Sequence, residues 1–104
     1  MMSSIKVTPA AENDLSNIWL YIADDNPVAA DRVFEAVQST FGSLLKKPKI
    51  GKVFESKRMK LKNIRFFPIG KYPKYVVYYR EIDKGIEIIR VLHARMHEDN
   101  RLDC

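Results

Sequence analysis

Histidine and arginine are concentrated near the end of the chain, in the segment 85–100. Both histidines of the sequence, His93 and His97, occur there, interleaved with two arginines. Metal-free cleavage of RNA needs a general base, a general acid and cations that stabilise charge developing on phosphorus, and these side chains can supply all three. The ribonuclease hypothesis therefore assigns catalytic roles to Arg65, Arg90, His93 and Arg95. The same side chains are common in basic proteins rich in tyrosine, so the inventory alone does not define an enzyme.

The same segment also has the pattern of a core strand. Residues 86–92 are almost all β-branched or apolar, and alternation places Arg90 on one face with Ile88 and Leu92. An arginine on an apolar face must extend to solvent, pair with a carboxylate or enter a groove that a partner fills. His93 continues the opposite face, where a hydrogen-bonded structural histidine is the commoner explanation. The catalytic cluster and the strand end both remain open interpretations.

Other kinds of site have little support in the sequence. His93 and His97 have the spacing of metal ligands only on a helix, and His93 ends a strand, so no metal site is predicted. No Gly-x-Ser-x-Gly motif, Walker loop or Gly-x-Gly-x-x-Gly motif occurs, and no cofactor is expected. Cys104 is the sole cysteine, so neither an intrachain disulfide nor a thiolate metal site can form.

Positive charge is unevenly distributed along the chain. The net charge is +5, but residues 1–45 carry 2 basic and 6 acidic side chains, or −4, and residues 46–104 carry 16 and 7, or +9. The excess lies in 46–74, where eleven lysines and arginines accompany a single acidic residue, Glu55. Such asymmetry favours an anionic partner, either nucleic acid or an acidic protein segment. The alternative is a basic face that is simply solvated.

The first half of the chain predicts two helices. Thr8-Pro9 and Asn26-Pro27 each place a capping residue before a proline at the first helical position. Apolar residues follow both at helical spacing, and we predict that they are core residues, Trp19 and Phe34 included. The second helix should end before Pro48. Since only a few residues join the helices, they should form an antiparallel hairpin.

The second half of the chain predicts strands. Residues 75–79 and 86–92 are two of them, joined by a tight turn in which Gly85 supplies the left-handed conformation. Residues 5–7 could form a short edge strand, 48–57 look like a weakly structured connection, and 58–67 are ambiguous. The predicted class is α+β, a single domain over residues 1–104, with the helical hairpin on one face of a small antiparallel sheet.

The sequence also predicts where the protein works. No apolar run approaches the roughly 18–20 residues that cross a bilayer, so no membrane partner is expected. The first ten residues lack the apolar core of a signal peptide. With one cysteine in the whole chain, a reducing cytoplasm is the expected location.

Four stretches of the sequence resemble one family. LSNIWLYIA followed by NPVAADR, within residues 15–32, resembles the DL-x-x-IW-x-YIA…NP-x-AA-x-R opening of the ParE branch of the RelE/ParE toxin superfamily. Residues 64–66 and 75–80 match the family's "glR" and "Y-x-I-x-YR" strands, and GIEIIRVLHAR matches "G-x-EILRVLHGAR". The resemblance runs in the correct order over about residues 7–95. Ala94 departs from it, since the family usually has glycine there.

The resemblance implies a helical hairpin packed on an antiparallel sheet of three or four strands. It also implies the toxin of a type II toxin–antitoxin pair, held inactive by a cognate antitoxin whose C-terminal segment wraps the toxin. ParE-type toxins are described as inhibitors of DNA gyrase, so gyrase is the expected target and no enzymatic activity is favoured. The alternative is ribosome-dependent mRNA cleavage as in the RelE branch, which His97 beside Arg95 keeps open. A binding module of another kind fits the basic surface but not the order of the motifs.

The antitoxin is expected to bind the basic part of the chain. A segment that is acidic and disordered when free would be attracted to residues 46–74 and would fold on binding. The predicted antitoxin-binding residues are Lys57, Arg58, Lys60, Arg65 and Arg90.

Overall fold

The computed structural model describes residues 4–55 and 63–96. A first strand, β1 (Ser4–Val7), is followed by two helices, α1 (Pro9–Ala23) and α2 (Pro27–Lys46). The remaining strands are β2 (Lys52–Val53), β3 (Arg65–Ile69), β4 (Tyr72–Ile82) and β5 (Gly85–His93). Short 3-10 helices occupy Pro48–Ile50 and Ala94–Met96.

Both helices begin where the capping residues predict. The hydroxyl oxygen of Thr8 accepts a hydrogen bond from the N–H of Ala11 at 3.1 Å, and Asn26 Oδ1 accepts one from the N–H of Ala29 at 3.0 Å. Each bond satisfies an N–H of the first turn that has no partner within the helix. Thr8 Oγ1 also donates to the carbonyl of Ile89 at 2.8 Å, so the cap of α1 is attached to β5. The expected hairpin is therefore confirmed and fixed against the sheet.

The sheet has five strands, in the order β1-β5-β4-β3-β2. Neighbours are antiparallel except β1, which lies parallel to β5 at one edge. The expected count of three or four strands was too low by the strand β2. Its two residues, Lys52 and Val53, are too few to show any alternation, and they fall in the segment predicted as a weakly structured connection. The α+β class with the hairpin on one face is confirmed.

Glycine at position 85 is required for a different reason from the one predicted. The left-handed residue of the β4–β5 turn is Lys84, with φ of 64°, and Gly85 does not have positive φ. A Cβ atom on Gly85 would lie 1.9 Å from the carbonyl oxygen of Ser4. The missing side chain lets β1 approach β5 closely enough to pair with it, starting at Ser4 opposite Gly85.

A bulge in β5 reverses the alternation of its side chains. Tyr78 of β4 pairs with Arg90, but Tyr79 pairs with Ile88, so Ile89 is the additional residue on β5. Val91 therefore packs with Ile88 towards the helices, and Leu92 packs on the opposite face of the sheet. The prediction that Leu92 shares the face of Ile88 was wrong, because it assumed unbroken alternation.

Apolar side chains cover both faces of the sheet. The larger cluster lies between the hairpin and the sheet and is built from buried side chains of α1, α2, β3, β4 and β5. A second cluster on the other face consists of Phe54, Ile64, Val76, Tyr78 and Leu92. Among the residues described, none of the helices is long and apolar enough to cross a membrane.

Candidate functional site

Arg90 is bound to a carboxylate of the first helix. Its Nε and Nη2 donate to the two oxygens of Asp14 at 2.7 and 2.8 Å, and the N–H of Val91 donates to Asp14 Oδ2 at 3.1 Å. Both side chains are mostly buried, 14% and 10% exposed. Of the three explanations open for an arginine on this face, pairing with a carboxylate is the one observed. The pair joins α1 to β5 next to the bulge.

Sequence reasoning missed Asp14 as the partner, although a signal was present. Asp14 comes three residues after Ala11 and one turn before Ile18, so it lies within the apolar stripe of α1. An acidic residue inside such a stripe must find a partner when the stripe is buried.

Arg65 binds the backbone of the segment after α2, and its side chain also borders a cleft with Lys49 and Glu81. Its Nη1 donates to the carbonyl of Gly51 at 2.8 Å, with a longer contact of 3.4 Å to that of Lys49. The neighbouring Tyr79 hydroxyl donates to the carbonyl of Pro48 at 2.6 Å and accepts from the N–H of Gly51 at 3.0 Å. Burial raises the pKa of Tyr79, so its proton stays in place. The two side chains fix the turn between α2 and β2.

His93 and Arg95 border an open cleft between α1 and the end of β5. The cleft has a volume of about 420 Å³ and is lined by Asn17, Ile18, Tyr21, Lys74, Tyr75, His93 and Arg95. The imidazole lies edge-on to the Tyr75 ring, with centroids 5.8 Å apart, and its Nδ1 accepts from the N–H of Arg95 at 3.2 Å. Lys74 Nζ lies 5.5 Å from the Tyr75 ring centroid. Lys74, Tyr21 and Tyr75 were not among the predicted site residues, since they are distant in sequence from His93.

The ribonuclease candidates lie in separate places. Arg65 pairs with Tyr79 across β3 and β4, whereas His93 pairs with Tyr75 across β4 and β5. These positions differ by four residues along β4, which is about 13 Å, and by two strand spacings, about 10 Å. Arg90 is turned towards Asp14. Only His93 and Arg95 share a cleft.

A second groove lies between the two helices. It is bordered by Ser16, Trp19, Leu20 and Phe34, and has a volume of about 420 Å³. Leu20 is 60% exposed and Phe34 is 37% exposed. Trp19 is half-buried, and its Nε1 donates to Asp31 Oδ1 at 3.1 Å. The prediction that Trp19 and Phe34 are core residues was therefore wrong: both stand at the rim of the hairpin core and leave an apolar surface open.

Several predicted residues fall outside the described part of the chain. Lys57, Arg58 and Lys60 lie in 56–62, and His97 follows residue 96. Their proposed roles remain predictions. Within residues 4–55, the basic stretch begins with four exposed lysines around the end of α2, at positions 46, 47, 49 and 52.

A two-helix hairpin over a mainly antiparallel five-stranded sheet is a fold with known relatives. A chain of the solved chromosomal ParDE toxin–antitoxin system from P. aeruginosa superimposes with a TM-score of 0.68 at 22% identity, covering 88% of this chain and 96% of that one. At that identity the likeness demonstrates a shared fold. No match to the chain is found among curated proteins.

The sequence itself places the chain more narrowly within that fold. The family model of the ParE toxin of type II toxin–antitoxin systems, parDE, matches residues 5–98. The chain therefore belongs to the ParE toxin family, as its helical opening and its last strand indicated.

Proposed function

We propose that this ParE-family toxin inhibits DNA gyrase by binding it, and that a cognate antitoxin neutralises it by wrapping its surface. The observation that supports binding over catalysis is the dispersal of the ribonuclease candidates. Arg90 is engaged with Asp14, and Arg65 with the backbone at Gly51. General acid–base catalysis needs its groups within hydrogen-bond reach of one substrate. Arg65 lies too far from His93 for that, and the guanidinium group of Arg90 is held by Asp14.

The surface is also suited to an extended partner. The hairpin presents an apolar groove beside Leu20 and Phe34, and the end of α2 presents exposed lysines. An antitoxin segment that is disordered and acidic when free can cover both kinds of surface as it orders. The proposal assigns Lys57, Arg58 and Lys60 to that contact on charge. It assigns Arg65 and Arg90 as residues that support the surface from within.

Two assays run side by side test the target. Purified protein is added to a gyrase supercoiling reaction and to a ribosome-bound mRNA cleavage reaction. We expect loss of supercoiling with intact mRNA. Cleaved mRNA with unaffected gyrase would contradict the proposal, and the variants Arg65→Ala, Arg90→Ala and His93→Ala would then identify the catalytic groups.

One observation favours the alternative, an mRNA endonuclease. His93 and Arg95 share their cleft with Lys74 and the exposed Tyr21, so an imidazole, two cations and a phenol surround one space. His93→Ala separates the two functions. Under the gyrase proposal it leaves inhibition of supercoiling unchanged, whereas a ribonuclease that used this imidazole would lose roughly a hundredfold or more in rate.

The neutralising contact is tested by charge. The triple variant Lys57→Glu, Arg58→Glu and Lys60→Glu should weaken binding of the antitoxin, taken as the product of the neighbouring reading frame, and should reduce its dependence on salt. Lys6→Glu on β1 reverses one exposed charge outside the basic stretch and is the control for a single reversal. Equal affinity of the triple variant and the parent at both low and physiological ionic strength would remove these residues from the interface.

A further inference from the structure

The cleft between α1 and β5 combines positive charge with aromatic surface. Lys74 and Arg95 are exposed and stand at its border together with His93, and none of its lining residues is acidic. Asp14, one turn before Ile18 on α1, already binds Arg90. Among the described residues the cleft therefore presents positive charge with no carboxylate in its lining, next to the apolar side chains of Ile18 and Tyr21.

The arrangement of the rings selects the kind of ligand. Tyr75 is 6% exposed, with the His93 ring nearly perpendicular to its ring at 5.8 Å and Lys74 5.5 Å from its centroid. Single-stranded nucleic acid binds through bases stacked on open aromatic faces, and a covered ring offers none. Tyr21, at 80% exposed, is the one open aromatic ring at the border. A carboxylate beside an apolar side chain fits the cleft better than a row of bases does.

The cleft is also adjacent to the hairpin groove. Asn17, Ile18 and Tyr21 line the cleft, whereas Ser16, Trp19 and Leu20 line the groove, so the two openings flank the same helix, α1. The ridge between them carries Leu20 and Tyr21, which are 60% and 80% exposed. One segment that crosses α1 would bury both of these side chains and reach both openings.

We propose that this cleft receives an acidic residue, next to an apolar one, of the antitoxin segment that crosses α1. The inference rests on the proposed neutralisation by an antitoxin and adds a defined contact to it. Lys74 and Arg95 pair with the carboxylate, and the apolar neighbour packs on Ile18 and Tyr21. Arg90 takes no part in this contact because Asp14 holds its guanidinium group.

The test uses a short capped peptide of alternating leucine and glutamate, and a second peptide with glutamine in place of glutamate. Each is titrated into the isotope-labelled full chain, and the amide resonances of Tyr21, Lys74, His93 and Arg95 are followed. The expected result is a shift of these resonances by the glutamate peptide, and weaker binding in salt. A short oligothymidylate is titrated in parallel.

A pair of double variants assigns the contact. Lys74→Gln with Arg95→Gln should weaken binding of the glutamate peptide by roughly tenfold, or about 1.4 kcal/mol, which lies within the range for two exposed ion pairs. Lys6→Gln with Lys84→Gln removes the same charge at the other end of the sheet and should change affinity by less than about twofold. The control pair distinguishes a local contact from a general attraction.

Four results would overturn the assignment. They are the absence of shifts in the cleft, equal binding of the glutamine peptide, equal weakening by the two double variants, and tighter binding of the oligothymidylate at the cleft. The last would make the cleft a nucleic-acid site. A failed cleft assignment can be distinguished from failed neutralisation. If the neighbouring gene product still silences a Lys74→Gln, Arg95→Gln toxin in growing cells, neutralisation holds and only the cleft assignment is rejected.

Discussion

Two arginines, one on β5 and one directly after it, have opposite relations to the rest of the protein. Near the bulge, Arg90 is 14% exposed and forms two hydrogen bonds to Asp14. At the end of the same strand, Arg95 is exposed beside an open cleft. The first cation is committed to the fold and the second is available to a partner. Residue type alone does not separate these roles, since both arginines were candidates under the ribonuclease hypothesis.

The surroundings of Arg65 resemble those of the first arginine. Arg65 and Tyr79 donate to backbone carbonyls of the turn after α2, whereas the lysines of that turn are exposed. Polar groups with fixed internal partners therefore hold the elements together, and cations without such partners in the described chain stand at its rim. The comparison predicts that changes in the first set cost stability and that changes in the second set cost binding.

The largest effect is expected at Asp14. Asp14→Ala removes the carboxylate that accepts three hydrogen bonds and leaves the mostly buried Arg90 without it, so the free energy of unfolding should fall by about 3 kcal/mol. Urea denaturation followed by circular dichroism measures the change. Glu87→Gln is the control, because its partner Arg80 is 49% exposed and an exposed pair contributes about 1 kcal/mol or less. Equal losses in the two variants would break the comparison.

A smaller loss is expected at Tyr79. Tyr79→Phe keeps the ring but removes the hydroxyl group, so the carbonyl of Pro48 and the N–H of Gly51 each lose a buried partner. Leaving such groups unsatisfied should lower the free energy of unfolding by about 2 kcal/mol. Denaturant unfolding measures the loss, and hydrogen exchange at Gly51 should become faster. Tyr21→Phe, at an exposed tyrosine, should leave both quantities unchanged.

The buried tyrosines also predict a loss of stability in alkali. Burial raises the pKa of Tyr78 to about 12, from 10.0 in an exposed side chain. Between these two values the unfolded chain loses the proton and the folded chain keeps it, so the folded state binds more protons and stability falls as pH rises. The loss should reach about 2 kcal/mol by pH 12. Unfolding midpoints of the parent and of Tyr78→Phe measure it, and a parallel decline in both would contradict the assignment to Tyr78.

The sequence predicted most of the fold because its signals are local. Thr8-Pro9 and Asn26-Pro27 begin helices where capping chemistry requires, and Ile86–Ile88 alternate as a strand should. The bulge at Ile89 was not predictable, since nothing in a run of apolar residues marks which one is left without a cross-strand partner. The same uncertainty assigned Leu92 to the wrong face.

The candidate site was less predictable because its residues meet only in three dimensions. Lys74 and His93 lie 19 positions apart and face one cleft because Tyr75 and His93 are opposite each other in the β4–β5 register. Tyr21 joins them only when α1 crosses the sheet. Asp14 could have been found from its place in the apolar stripe, but its pairing with Arg90 over 76 positions could not.

The smallest effect on stability is expected at the cleft, where the comparison requires a loss of binding without a loss of stability. Arg95→Gln and Lys74→Gln each remove an exposed cation. Within the described residues the hydrogen bond of Arg95 is donated by its backbone N–H, which glutamine retains. Each variant should therefore unfold within about 0.5 kcal/mol of the parent. Denaturant unfolding and antitoxin binding, measured on the same samples, give the decisive pair of values. Substitution of a cation at the rim that contacts a partner lowers antitoxin affinity and leaves the free energy of unfolding unchanged, whereas Asp14→Ala lowers the free energy of unfolding. If Arg95→Gln lowered stability as much as Asp14→Ala does, both Arg90 and Arg95 would stabilise the fold.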